Sequence, residues 1–154
     1  MVQIRVQTRG IDFNEEAKQF EIDVERLKEG VMIEMAGVIA MNSPVDSGTY
    51  AISHEVGLRS GSFQANVGRS DNASRISRDG VAQYPNARQQ GFQNMVADIQ
   101  SLDLSSESFV FRNPMEYAAL IEAGISGDKT GYPPVYGSAI REAPSIIERV
   151  AQQI

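Results

Sequence analysis

Apolar residues return every three or four positions along one long stretch of the chain: Phe20, Val24, Leu27, Val31, Met35 and Val38. That spacing is the period of an amphipathic helix, and Glu21, Glu25, Lys28 and Glu29 fall on its opposite face. Asp12 with Glu15 three residues later forms a capping box at its start. Asn42-Ser43-Pro44 ends it just beyond Met41, because a residue before proline is steered out of the helical region. A helix of this length spans about 45 Å and must bury its apolar face on something else. In a chain of 154 residues, 42% of them apolar, that demand is met by one packed domain covering 1–154.

The remaining elements are shorter. Val2, Ile4 and Val6 alternate with polar residues as in a half-buried first strand. Residues 49–68 read as extended, with Phe63, Ala65 and Val67 alternating and Gly57 and Gly61 marking a turn, which predicts a hairpin. Residues 69–80 are almost wholly polar and predict an exposed loop. Phe92, Met95, Val96 and Ile99 place a helix at about 86–102, with Gly91 against it. A β-rich block, Phe109-Val110-Phe111, precedes Asn113-Pro114-Met115-Glu116, which has the form of a helix start for a helix at about 114–123 that Gly124 would stop. Residues 127–137, with Pro133-Pro134, read as a loop, and Ile140, Ile146, Ile147 and Val150 predict a C-terminal helix bent or begun late at Pro144. The expected class is α+β, a single domain with a small, mostly antiparallel sheet packed against the long N-terminal helix.

Little in this chain points to chemistry. It holds no cysteine, which excludes disulfides, thiolate metal sites and cysteine nucleophiles. His54 is the one histidine, and no Gly-x-Ser-x-Gly elbow accompanies it, so a structural or surface role is expected for it. Phosphate-loop signatures are also absent. Glu116 and Glu122 stand six apart, on largely opposed faces of a helix, and Glu116 suits a capping role better than acid–base work. Asp46 before Ser47-Gly48 suits a turn, and no second carboxylate lies at calcium-loop spacing. Tyr117, Tyr132 and Tyr136 around the prolines suit a core edge more than a peptide groove. No catalytic residue, cofactor or metal is expected.

The net charge of −6 disfavours sequence-specific nucleic-acid binding, and no apolar run approaches the ~18 residues that a bilayer requires. A soluble protein made in the cytoplasm is expected. Ten acids against three bases lie between Asp12 and Glu55, whereas Arg59 to Arg88 holds five arginines against two acids. Opposed charge blocks of this kind can meet across a subunit interface, with Glu21 and Glu25 on one side and Arg59, Arg69 and Arg88 on the other.

Two segments carry a resemblance. Pro44-Val45-Asp46-Ser47-Gly48 after a long amphipathic helix, and Asn113-Pro114 followed by Tyr117-Ala118 and then Glu122 and Gly124, resemble the two signatures of the tail-completion and neck proteins of long-tailed bacteriophages. Order, spacing and the intervening helix match over most of the chain. Two departures stand out: Thr49-Tyr50-Ala51 replaces a basic residue common in that family, and Met115 and Glu116 separate a proline and a tyrosine that are often adjacent there.

The resemblance implies a non-enzymatic virion component, a homomeric ring, commonly a hexamer, at the head–tail junction. Its implied neighbours are tail-tube and head-connector proteins, with DNA passing through the lumen. A host-directed binding or inhibitor protein, which would remain monomeric, and a small metal-dependent hydrolase, which would need clustered acids, are the other classes considered.

Overall fold

The structure is a computed structural model that describes residues 13–45, 48–59, 86–106, 108–126, 129–131 and 133–154. The expected first strand at Val2, Ile4 and Val6, the cap at Asp12, the polar loop 69–80 and the hairpin residues Phe63, Ala65 and Val67 lie outside them.

Helix α1 (Phe13–Asn42) is the long helix, closing one residue beyond Met41. Its buried ridge is Met32, Ala36, Ile39 and Ala40, with the expected Met35 and Val38 half-buried beside it. The ridge is broader than a single apolar stripe because two helices pack on α1, α3 (Ala87–Gln100) and α5 (Val135–Ala151). The periodicity fails at the other end of α1. Residues 14–22 are all exposed and Phe20 keeps 70% of its surface, so among the described residues nothing covers the start of the helix.

Residues 49–52, expected to be extended, form one helical turn instead, α2 (Thr49–Ile52). Gly48 reverses the chain with φ 82° and its carbonyl accepts from Ile52 N at 3.1 Å, closing a turn that side-chain alternation does not reveal. Strand β1 (Glu55–Leu58) follows and pairs antiparallel with β2 (Phe109–Arg112), Glu55 opposite Arg112 and Leu58 opposite Phe109. The described partner of β1 is thus distant in sequence and not a local hairpin strand. Phe109 and Phe111 turn one face of this pair toward the core that also holds Met32, Ile39, Met95 and Ile99. The result is a mixed fold with a small antiparallel sheet, a long N-terminal helix and further helices.

Three boundaries differ from expectation. Asn113 does not cap a helix beginning at Pro114: its Oδ1 accepts from Met115 N at 3.1 Å in an Asx turn, and α4 (Ala118–Glu122) begins only after it. Glu116 therefore stands exposed before the helix and is not its cap. At the start of the expected loop, β4 (Lys129–Thr130) pairs antiparallel with β3 (Ile125–Ser126), which just precedes it. Helix α5 starts well before Pro144, which sits inside it. Its start is set by a carboxylate from α4, described below, which no local pattern announces.

Helices α1 and α5 run antiparallel. Val150 near the end of α5 lies against Gly30, Arg149 pairs with Glu34, and Tyr136 at the start of α5 reaches the region of Ser43. Among the described residues no helix is long and apolar enough to cross a membrane.

Candidate functional site

Residues that flank the first of the segments carrying the resemblance, Ser43, Tyr50 and His54, meet Asn113 and Tyr117 of the second. Ser43, the first residue past α1, donates its hydroxyl proton to Ile39 O at 2.7 Å, a back-bond that satisfies one of the carbonyls left open at a helix end. A serine hydroxyl has a single proton, so toward His54 Nε2, 2.7 Å away, Ser43 Oγ must accept. His54 therefore carries its proton on Nε2, and Nδ1 accepts from the Tyr136 hydroxyl at 2.7 Å.

Asn113 Nδ2 completes the joint, donating to Tyr50 O at 2.9 Å and lying 3.4 Å from His54 Nδ1. The Tyr50 ring meets the imidazole edge-on, with centroids 4.9 Å apart. One histidine thus ties together the end of α1, the link between α2 and β1, the residue after β2 and the start of α5.

Burial dominates the electrostatics of this joint. His54 and Ser43 are each 0% exposed, and desolvation holds the imidazole down at about 3. Burial likewise pushes both tyrosine hydroxyls up, that of Tyr50 and that of Tyr136, with Glu122 adding to each. The Ser43–His54 pair has the spacing of a nucleophile and its base but not the proton arrangement: the serine proton goes to a backbone carbonyl, and Nε2 is already protonated. Neither atom is open to a substrate.

The buried and half-buried carboxylates are committed too. Glu122 accepts from Val135 N and Tyr136 N through Oε2, at 2.9 and 3.0 Å, and from Gly137 N through Oε1 at 2.8 Å. It is the cap of α5, supplied from another helix and complementary to the positive end of the helix dipole. Asp98 accepts from Val56 N at 3.1 Å, and Glu55 accepts from Arg112 Nε at 2.8 Å. Among the described residues no group of three or more His, Asp or Glu could hold a metal ion.

The residues singled out from sequence fall as follows. Pro44 is buried, Val45 packs on the small cluster of Ala51, Ile52 and Ala87, and Asp46 and Ser47 lie outside the described residues. Gly48 and Gly124 both have positive φ, 82° and 85°, the first opening α2 and the second stopping α4. Tyr117 lies against Tyr50 with centroids 6.4 Å apart, Ala118 packs on the core, and Pro114 is exposed. Tyr136 enters the buried joint, whereas Tyr132 lies outside the described residues.

Glu21 and Glu25 are exposed on α1, and Arg59 is exposed after β1. Arg88 is turned inward, its Nε donating to Ser43 O at 2.8 Å, and Arg69 is not among the described residues. Sequence reading missed Ser43, Tyr50 and Tyr136 as partners of His54. The available signal was that a lone histidine in an apolar neighbourhood needs a partner for each ring nitrogen.

No family model, no curated protein and no solved structure matches this chain.

Proposed function

We propose that this protein is a structural subunit of a tailed-phage virion, assembling into a homomeric ring, commonly sixfold, at the head–tail junction as a neck, tail-completion or tail-terminator protein. One observation carries the proposal: Ser43 and Tyr50, which flank the first signature segment, meet Asn113 of the second in a buried joint, and the described polar side chains Asn113 and Glu122 hold backbone. Gly48 reverses the chain, Asn113 clamps Tyr50 O, Glu122 caps α5 and Gly124 closes α4. Such a joint fixes the relative placement of α1, the sheet and α5 without presenting reactive atoms, as a scaffold subunit requires. The exposed start of α1, acidic and carrying Phe20, is surface available to neighbouring subunits.

Solution mass of the purified chain and labelling of intact virions test the proposal. A closed oligomer that decorates the neck is expected. A monomer absent from virions that captures one defined host protein would favour the inhibitor alternative instead. Hydrolysis stimulated by divalent metal would favour the hydrolase, for which the committed states of Glu55, Asp98 and Glu122 offer no support.

A further inference from the structure

Helix α5 is apolar on two sides. Val135, Ala139, Ile146 and Val150 are buried, α5 packing along α1. A second row, Ile140, Pro144, Ile147 and Ala151, recurs at spacings of four, three and four and is exposed throughout, with Ile140 at 68% and Ile147 at 46%. Ile154, half exposed at 50%, continues the spacing just past the helix. A row at this spacing is the seam by which one helix packs along another.

The overhanging start of α1 carries a row at the same spacing: Ala17 and Phe20, both exposed, then Val24 and Leu27, half-buried. At roughly 1.5 Å per residue the two rows are of similar length, about 15 to 20 Å.

We infer that the exposed row of α5 in one subunit receives the overhanging start of α1 from a second copy of this chain. Charge selects this pairing over α1 against α1. Residues 14–27 carry Glu15, Glu16, Glu21, Asp23 and Glu25 against Lys18 and Arg26, so two copies of the overhang repel. Residues 140–154 are balanced, Arg141 and Arg149 against Glu142 and Glu148, and Arg141 is exposed directly beside Ile140. Because the two surfaces differ, each subunit can give its α1 to one neighbour and receive α1 from another, the head-to-tail repeat a ring needs, whereas a reciprocal exchange would stop at a mass of two chains. The inference rests on the ring reading and names the surfaces that would build it.

The test uses two surface variants of the full chain, Phe20→Ser and the pair Ile140→Ser with Ile147→Ser, with mass measured by sedimentation over a concentration series. These side chains are exposed, so the circular dichroism of the folded chain should be unchanged, and the melting temperature should lose only what assembly adds. Each variant alone is expected to fall to the mass of one chain. An equimolar mixture is expected to give a one-to-one dimer and nothing larger, because only one intact α1 row and one intact α5 row remain in each pair. If the α5 variant stays oligomeric while Phe20→Ser dissociates, α1 pairs with itself and the inference is overturned. An oligomer that survives both variants overturns it while leaving the ring reading intact. A wild-type chain that is monomeric at every concentration removes both.

Discussion

His54 Nε2 and Ser43 Oγ lie 2.7 Å apart with both residues fully buried, and the proton between them belongs to the imidazole. Because the serine proton is spent on Ile39 O and the other ring nitrogen accepts from Tyr136, a second proton on the ring must break the Tyr136 hydrogen bond. Protonation would bury a charge and set two donors, the ring N–H and the Asn113 amide, against each other.

Stability should therefore depend on pH through this one residue. The imidazole takes its proton near pH 6.5 when unfolded and only near about 3 when folded. Between those values the unfolded chain binds a proton that the folded chain does not, so the contribution is complete above about 6.5 and declines as pH falls toward 3. The slope is at most roughly 1.4 kcal/mol per pH unit. Urea unfolding from pH 7.5 to 4.5 should show this decline in the wild type and a shallower one in His54→Gln, which keeps the same carboxylates. Equal slopes in the two proteins would show that His54 is not buried as a neutral ring.

Glu122 and Gly48 each fix backbone that leads to the joint, the first at the start of α5 and the second at the start of α2. Removing the cap in Glu122→Ala leaves three N–H groups at the start of α5 without their acceptor and should cost about 2 kcal/mol. Amide exchange at Val135, Tyr136 and Gly137 should quicken more than at Ile146, and uniform quickening would mean that the cap is not local. Gly48→Val places a β-branched residue at φ 82°, a conformation that costs non-glycine residues roughly 1–2 kcal/mol before any packing loss. An unchanged melting temperature in Gly48→Val would rule out the left-handed turn.

Two helical glycines should respond with opposite signs. A methyl group on Gly91 would sit 1.9 Å from Ala51 O, so α2 and α3 must separate, at the upper end of the roughly 1–3 kcal/mol typical of overpacking. On Gly37 it would meet only Phe92 Cε2 at 3.9 Å, an ordinary contact, and the helix should gain roughly 0.5–1 kcal/mol. Urea midpoints of Gly91→Ala and Gly37→Ala read both. A Gly91→Ala protein as stable as the wild type would refute the close approach of the two helices.

The same glycine shows why some of the fold was legible and some was not. Helices α1 and α3 follow from local period, and the turns at Gly48 and Gly124 follow from local backbone demand, so residues near in sequence carry the information. Gly91 counts against α3 on propensity alone, and only the neighbouring Ala51 carbonyl explains its place. The pairing of β1 with β2 and the capping of α5 by Glu122 join segments far apart in the chain, for which no period exists. Ser43 and Tyr136 were invisible as partners of His54 for the same reason. Phe20 misled in the other direction: its spacing is that of a buried face, but the surface that would cover it is not in the same subunit's described residues.

The two tyrosines of the joint differ in one respect that a pair of variants can read. The Tyr136 hydroxyl donates to His54 Nδ1, whereas the Tyr50 hydroxyl is buried with no hydrogen-bond partner among the described residues. Removing the first takes away the 2.7 Å donor to Nδ1, so Tyr136→Phe should cost about 1–3 kcal/mol. Removing the second deletes a buried polar atom that gains nothing from the fold, and Tyr50→Phe keeps the ring against His54 and Tyr117. That change should be neutral or stabilising by up to about 1 kcal/mol. The imidazole supplies a second readout: in Tyr136→Phe its nitrogen chemical shifts should lose the Nδ1-acceptor signature, and in Tyr50→Phe they should hardly move. If Tyr50→Phe costs as much as Tyr136→Phe, the Tyr50 hydroxyl is bonded in solution and the hydrogen-bonded network of the joint includes it.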